Sequence, residues 1–567
     1  MLAAAVLAAI SVANTPPART DDAALDAIAA YAPRAMGEQG TPGLSIAITD
    51  RTHTLRIITL GVANRDTQAP VTPQTRFAIG SITKSMTALA LLELVDRHRL
   101  ELDAPVRRYL PWFAIRSLGG PILVRELLSH TAGIPDDYAA EPGYIYDVLA
   151  LRSATTLFAP DTAWSYSNDG FAAAGAILAQ LDRRSWAESI EARVMAPLGM
   201  AQSSPVFTPE AMAGVATGYQ FRDNDRPPSL DPALVASPPL DFVDPAGSVL
   251  STPGDMARYM RFYLNGGRNA DGRQLISATA FAKMTHAARL ANGKPAGSAG
   301  VELAEAPSFY RAYGFGLSIF DENGDHLVGH TGGISGYTAC MQMNLTRGFG
   351  AIAFANLVEA PLHPCAIVLY AMRVLRAQSL GESLPSPPAP PDLTRVARAA
   401  DYQGTYRGKS GASLAIVGNG SRLFLIDGAK RISLYPRGGD EFWADDPRYA
   451  MFLLTFGRNR TGKVDEMNYG PQWYANRNYR GSLASALPAK WLALVGRYEN
   501  TFDGQPAITR VVIVKDRLTF DGTDLLVPRP DGAFSLGPSI VRFDAFAGDH
   551  AQRLRIDDID LYRVELP

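Results

Sequence analysis

"FAIGSITKSM", residues 77–86, decides how the chain is read. Ser81 stands three residues before Lys84 and directly after Gly80, and an apolar-periodic stretch follows with Met86, Leu89, Leu92 and Val95 on one helical face. Gly80 allows a tight turn into that helix. If Ser81 opens the helix, Lys84 lies one turn on, on the same side. A helix N-terminus offers partial positive charge and free N–H groups, and a buried amine within reach can take a hydroxyl proton; together these make a serine a nucleophile. The same ten residues also fit an ordinary Ser81 N-cap with Lys84 in solvent. A Ser-X-X-Lys tetrad recurs by chance about once in a few hundred residues, so its surroundings must discriminate.

Two further segments do so. "APDTAWSYSNDGFAAAGAIL", residues 159–178, places Tyr166, Ser167 and Asn168 in a loop ahead of a helical pattern, a position from which a phenol and an amide can face a cleft. Read alone, it is also a turn with Asn168 capping the helix. "LVGHTGGISGYTACMQM", residues 327–343, places His330, Thr331, Gly332 and Gly333 at the end of one strand and the start of a turn or edge strand. Read alone, it is a glycine-rich hairpin with a hydrogen-bonded histidine.

In this order the three motifs resemble the serine hydrolases related to class C β-lactamases and penicillin-binding DD-peptidases, over roughly residues 44–357. "ILVRELLSHTAGIP" (122–135), "APLGM" (196–200) and "PAGSVLSTPGDMARY" (245–259) carry the same resemblance. The resemblance implies Ser81 as the acylated nucleophile and Lys84 as its base or proton acceptor. Tyr166 is implied as the phenol that relays a proton to the leaving group, and Asn168 as the amide that holds the substrate and orients Lys84. Lys84 and Tyr166 titrate as a coupled pair, so which of them is the base stays open. His330, Thr331, Gly332 and Gly333 form the third substrate-binding motif, and the N–H groups of Ser81 and Gly333 the oxyanion hole. His130, in a Ser-His-Thr stretch that is structural in this family, is left out of the site. Two departures matter. Asp161 stands where a glycine is common, which implies a differently shaped loop. His330 stands where β-lactamases usually carry lysine, which removes a permanent charge able to grip a carboxylate and argues against a dedicated β-lactamase.

The chain has 567 residues, 47% hydrophobic and 19% charged, with 54 Lys+Arg against 56 Asp+Glu for a net charge of -2. No basic excess is available for a phosphate backbone, so nucleic acid is not an expected partner. "MLAAAVLAAISVANTPPART", residues 1–20, has an apolar run too short for a membrane span that fits an export signal, without the usual preceding positive residues. The expected location is periplasmic or secreted, with no stable membrane insertion after signal removal. The two cysteines, Cys340 and Cys365, cannot build a disulfide framework and are expected as buried free thiols, with pairing open only in an oxidising compartment. His326 and His330 lie four apart but run into glycines, so no helical two-histidine metal site is expected, and the chemistry calls for no cofactor.

Along residues 21–378 the periods alternate. "LSIAITDRTHTLRIITLGVAN" reads as a hairpin turning at Asp50 and Arg51. Helical patterns follow at "ITKSMTALALLELVDRHR", "VRELLSH", "GFAAAGAILAQLDRR" and "PGDMARYMRFYLNGG", the last with Thr252 as N-cap and Gly266 and Gly267 past its end. Strands return at "YGFGLSIF", "DHLVGH", "YTACMQMNL" and "AIAFANL". The expected fold class is an α+β domain, an antiparallel sheet flanked by helices whose N- and C-terminal strands meet. A proline-rich linker spans 379–393. Beyond it, a weak repeat opens with Gly404-X-Tyr406 and again with Gly496-X-Tyr498, which predicts two small β-barrels, 394–488 and 489–567, or alternatively one larger sandwich.

Histidine in the third motif together with two C-terminal barrels is similar to the D-aminopeptidases. The expectation is a serine hydrolase working through an acyl-enzyme on a small peptide or acyl substrate, as a peptidase on short peptides with D-residues or unusual linkages. A carboxylesterase, a weak β-lactamase, or an acyl transferase or peptide cyclase on the same site are the alternatives. A binding protein with an idle serine is the reading from another class, disfavoured by three intact motifs. Oligomeric state is not readable from the sequence.

Overall fold

The computed structural model describes residues 22–135, 143–222, 233–238, 244–297, 311–358, 364–389, 392, 394–409, 411–483, 487–502, 505–537, 539–556 and 559–565. The expected export segment lies outside them. The described residues fall into two compact units, the first taking those up to Gln220 and from Leu230 to Pro388, the second those from Ala389 on together with the segment Phe221–Ser229.

The first unit is built on an eight-stranded antiparallel sheet. Its strands are β1 (Gly43–Asp50), β2 (Thr54–Asn64), β3 (Ala69–Pro70), β4 (Ala312–Tyr313), β5 (Ser318–Glu322), β6 (Asp325–Ile334), β7 (Tyr337–Asn344) and β8 (Phe349–Ala355), in the order β3-β2-β1-β8-β7-β6-β5-β4. The β1–β2 hairpin turns where the sequence predicts: the Asp50 carboxylate accepts from the N–H groups of Thr52 and His53, each at 2.6 Å. The two ends of the segment meet at β1 and β8, in register from Leu44 opposite Ala355 to Asp50 opposite Phe349.

Strand alternation divides the sheet between two cores. Ile46, Ile48, Cys340, Ala351 and Ala353 face α1 (Asp22–Gln39) and α5 (Cys365–Leu380), two helices the sequence patterns above did not single out. Ala47, Met341, Ile352 and Phe354 face a larger core around α2 (Thr83–Asp96), α3 (Asn168–Asp182) and α4 (Pro253–Leu264). The α4 helix starts as predicted, with the Thr252 hydroxyl accepting from Asp255 N–H at 3.3 Å. The apolar period of α2 understates its position. Residues on every face are buried, including Thr83, Lys84, Ser85 and Thr87, so it is a central helix rather than a one-sided one.

The structure corrects several expectations. Cys340 and Cys365 are not free thiols: they form a disulfide, because Cys340 is on the helix-facing side of β7 and Cys365 is the first residue of the helix packed there, with Cα atoms 5.1 Å apart. Ser81 does not open the α-helix; it lies in a 3-10 turn, Gly80–Ile82, that feeds α2 two residues later. His330 lies within strand β6, four residues before its end. Helix α5 continues to Leu380 and is closed by Gly381 at φ +68°, so the first residues of the expected linker are helical.

The second unit contains a closed eight-stranded antiparallel barrel running from Gly404–Gly408 to Gln472–Ala475, and a nine-stranded antiparallel sheet between Gly496–Phe502 and Ile559–Val564. The edge strands of that sheet, Asp524–Leu525 and Val527–Pro528, are separated by Leu526 alone, so the sheet rolls until its edges adjoin. The repeat has a physical counterpart. Tyr406 and Tyr498, both fully buried, each donate to the carbonyl four residues back, Tyr402 O at 2.8 Å and Leu494 O at 2.9 Å. Each bond pins a barrel's first strand to the 3-10 turn before it. Each barrel has its own apolar core.

Among the described residues no helix is long and apolar enough to cross a membrane.

Candidate active site

Three elements bring the predicted residues together. The 3-10 turn and α2 supply Ser81 and Lys84, the N-terminus of α3 supplies Asn168 with Tyr166 just before it, and β6 supplies His330 to Gly333. Helix α3 is capped by Ser167, whose hydroxyl accepts from Gly170 N–H at 3.0 Å. Asn168 therefore has no capping duty, and its amide reaches Lys84 instead.

Lys84 is the hub and is fully buried. Its Nζ lies 3.0 Å from Ser81 Oγ, 2.6 Å from Asn168 Oδ1 and 3.0 Å from Ala246 O. The Tyr166 ring centroid is 4.8 Å from the same nitrogen and that of Phe171 5.8 Å. An amide oxygen and a carbonyl oxygen can only accept, so they take two hydrogens of the amine, and the Ser81 hydroxyl occupies a third direction. The reading of Ser81 as a cap with Lys84 in solvent is excluded by this burial. Ala246 was missed as a site residue, although it lies in "PAGSVL", a stretch the resemblance had marked; its signal is a backbone carbonyl, invisible to side-chain reasoning.

The third motif approaches Ser81 through its backbone. Strand β5 pairs with β6 only as far as Gly329, so from His330 onward that edge is open to the Ser81 turn. A Cβ on Gly332 would lie 1.9 Å from Ile79 O, and one on Gly80, at φ +51°, 2.7 Å from Gly333 N. Only glycine permits this approach at both positions. On the other edge, Ile334 and Tyr337 close the turn to β7, and ladder alternation then directs the N–H of Gly333 away from β7, beside the Ser81 turn. A Cβ on Gly333 itself would meet open space.

His330 is fully buried, its Nδ1 2.5 Å from Thr331 O and its Nε2 2.8 Å from the Tyr313 hydroxyl. Burial pushes the imidazole down to about 3, with Lys84 adding to the effect and the Thr331 bond opposing it. His130, set aside on the sequence, packs directly on the site. Its ring is 4.3 Å from Tyr166 and 4.8 Å from Tyr313, and its Nδ1 accepts Ser167 N–H at 3.1 Å, so it shapes the turn between Tyr166 and Asn168. Burial, Lys84 and His330 all hold it well below the ordinary imidazole range. Asp161 takes φ +66°, the left-handed conformation that suits glycine. Its N–H donates to Thr131 O at 2.8 Å and its carboxylate accepts from Arg125 at 3.2 Å, so this loop keeps a glycine-type turn.

The "Beta-lactamase" family model matches residues 28–366. Penicillin-binding protein 4 of Amycolatopsis lactamdurans is 29% identical over 383 residues, which cover 66% of this chain and 95% of that protein. Penicillin-binding protein 4* of Bacillus subtilis is 25% identical over 405 residues, covering 68% and 83%. Among solved structures, the octameric penicillin-binding protein homologue from Pyrococcus abyssi superposes with a TM-score of 0.55 at 24% identity, covering 79% of this chain and 99% of that one. The D-amino acid amidase from Ochrobactrum anthropi SV3, complexed with L-phenylalanine amide, superposes with a TM-score of 0.51 at 24% identity, covering 62% and 99%. The chain belongs to the β-lactamase family of serine hydrolases and carries its β-lactamase/transpeptidase-like fold, with penicillin-binding proteins among its relatives.

Proposed function

We propose that the protein is a serine peptidase acting through an acyl-enzyme on short peptides that contain D-residues or unusual linkages. The observation that carries this reading is the buried Lys84 amine 3.0 Å from Ser81 Oγ. In its uncharged form the amine takes the Ser81 proton while Oγ bonds to the acyl carbon. Asn168 and Ala246 hold the amine in place as it changes charge. The Ser81 and Gly333 N–H groups receive the oxyanion, Tyr166 relays the proton held on Lys84 to the departing amine as the C–N bond breaks, and water then adds its hydroxide to the acyl carbon and returns its proton to Ser81 as the ester bond breaks. The D-residue preference draws on the name of the amidase that shares the fold. A periplasmic or secreted location is part of the proposal, supported by the Cys340–Cys365 bridge, since disulfides persist in oxidising compartments.

The test is kcat/KM on matched D-Ala and L-Ala p-nitroanilides with p-nitrophenyl acetate alongside. D-Ala turnover at least tenfold above L-Ala, abolished in Ser81→Ala, is the expected result. Ser81-dependent cleavage of the ester with neither anilide touched would make the protein a carboxylesterase.

A further inference from the structure

Ala246 meets Lys84 through its backbone carbonyl, and the turn that carries this carbonyl is tied to the helices around it. The Thr87 side chain lies on α2, one turn beyond Thr83, and Trp186 opens the short helix Trp186–Ile190; both are fully buried. Trp186 Nε1 lies 3.0 Å from Thr87 Oγ1, and Thr87 Oγ1 lies 2.8 Å from Pro245 O. An indole N–H only donates and a carbonyl only accepts, so the Thr87 hydroxyl accepts from Trp186 and gives its own hydrogen to Pro245. The other end of that peptide plane is held as well, because Ala246 N–H donates to Asp244 Oδ1 at 2.7 Å. The next plane is fixed by Gly247 N–H, which donates to Asp244 O at 3.0 Å, and Val249 N–H then donates to the Thr83 hydroxyl at 3.2 Å. On α3, Gly175 leaves a notch for the Pro245 ring: a Cβ there would lie 2.2 Å from Pro245 Cγ. With both planes fixed, the Ala246 oxygen keeps its aim at Lys84 Nζ, 3.0 Å away.

We propose that Thr87, oriented by Trp186, is a positioning residue that fixes the Ala246 carbonyl against Lys84 and through it sets the direction of the Lys84 lone pair. The uncharged amine has two hydrogens. Asn168 Oδ1 at 2.6 Å and Ala246 O at 3.0 Å take them, which turns the lone pair toward Ser81 Oγ, also at 3.0 Å. The Ser81 proton passes to that lone pair as Oγ bonds to the acyl carbon, and the ammonium so formed keeps both acceptors. Deleting the Thr87 hydroxyl takes from Pro245 O its buried donor, and the turn then rotates to satisfy it elsewhere. The catalytic consequence rests on Ser81 being the nucleophile; the placement of the carbonyl does not. A misplacement of about 1 Å at a reacting group costs on the order of a hundredfold in rate, so a residue that never meets the substrate governs acylation through one backbone oxygen.

The experiment has two readouts on the full chain, taken at a temperature where thermal melts show each variant folded. Thr87→Val keeps the shape of the side chain and deletes the hydroxyl, Thr87→Ser keeps the hydroxyl, and Trp186→Phe removes the indole donor. The first readout is acylation of D-Ala p-nitroanilide, with p-nitrophenyl acetate alongside. Its rate constant should fall at least about tenfold in Thr87→Val with KM within about twofold of the wild type, return to within about twofold in Thr87→Ser, and fall about threefold in Trp186→Phe. The second readout needs no turnover: a crystal structure of Thr87→Val should place Ala246 O beyond about 3.5 Å from Lys84 Nζ, with the Asn168 contact kept. An unmoved carbonyl, a Thr87→Val rate within twofold of the wild type, a Thr87→Ser rate no better than that of Thr87→Val, or a loss carried by KM would overturn the proposal. If Thr87→Val does not fold, an unchanged rate in Trp186→Phe overturns it. A displaced carbonyl in a protein whose wild type is acylated at Ser81 by neither probe would overturn the nucleophile reading and leave the placement of Ala246 by Thr87 standing.

Discussion

Glu126 sits 3% exposed beneath the loop that carries Tyr166, and burial pushes its carboxyl up to about 7 against the Leu123 N–H bond and the charge of Arg125, which pull it down. The folded state therefore prefers the protonated acid. That contribution is fully present below the unfolded value near 4.5 and is lost as pH rises through about 7. Thermal unfolding should fall in midpoint between pH 5 and 8 by an amount worth on the order of 2 kcal/mol, and Glu126→Gln should flatten that slope. At this scale the sequence marked by type and spacing side chains that the fold brings together: Lys84 lies against Ser81, Asn168 and Tyr166, and Tyr166 against His330. It did not expose Ala246, Tyr313 or the position of His130, because a backbone carbonyl, an edge-strand phenol and an αL histidine leave no periodic trace.

Among elements, the strand pairing was legible where the hydrophobic alternation was strong, as in β1, β2, β7 and β8, and the helices were legible where caps marked them, as at Thr252. Two of the elements covering one sheet face, α1 and α5, were not picked out, and with α5 went the bridge. Cys340 lies directly opposite Thr331 in the β6–β7 ladder, so the disulfide anchors the strand next to the third motif to a helix on the sheet's far side. Its partner is 25 residues on, and only the docking of that helix brings the sulfurs together. Closing a loop of that length should contribute about 3 kcal/mol by restricting the unfolded chain. Cys340→Ser with Cys365→Ser, or reduction of the native protein, should lower Tm by roughly 5–10 °C in a thermal melt, with the third motif's neighbours the first to lose amide protection.

For the whole molecule, the sequence separated a mixed unit from an all-β unit because their periodicities differ, 3.6 with 2 in one and 2 alone in the other. Less of the geometry of the second sheet could be read: its edge strands are two residues each, too short to show alternation. The pairing of β1 with β8 has a further consequence, in time rather than in space. Leu44 cannot find Ala355 until some three hundred residues of chain are available, and among the described residues β8 is the strand that joins the N-terminal hairpin to the rest of its sheet. The hairpin must wait with one edge unsatisfied while most of the chain is made, whereas neighbouring strands of the closed barrel are joined by no more than nine residues, apart from the closing pair. Contact order then sets two clocks in one polypeptide. After dilution from denaturant, stopped-flow signals should resolve a faster phase from the barrel tryptophans and a slower one from recovery of Ser81 acylation, so the unit that carries the proposed nucleophile is the one that finishes last.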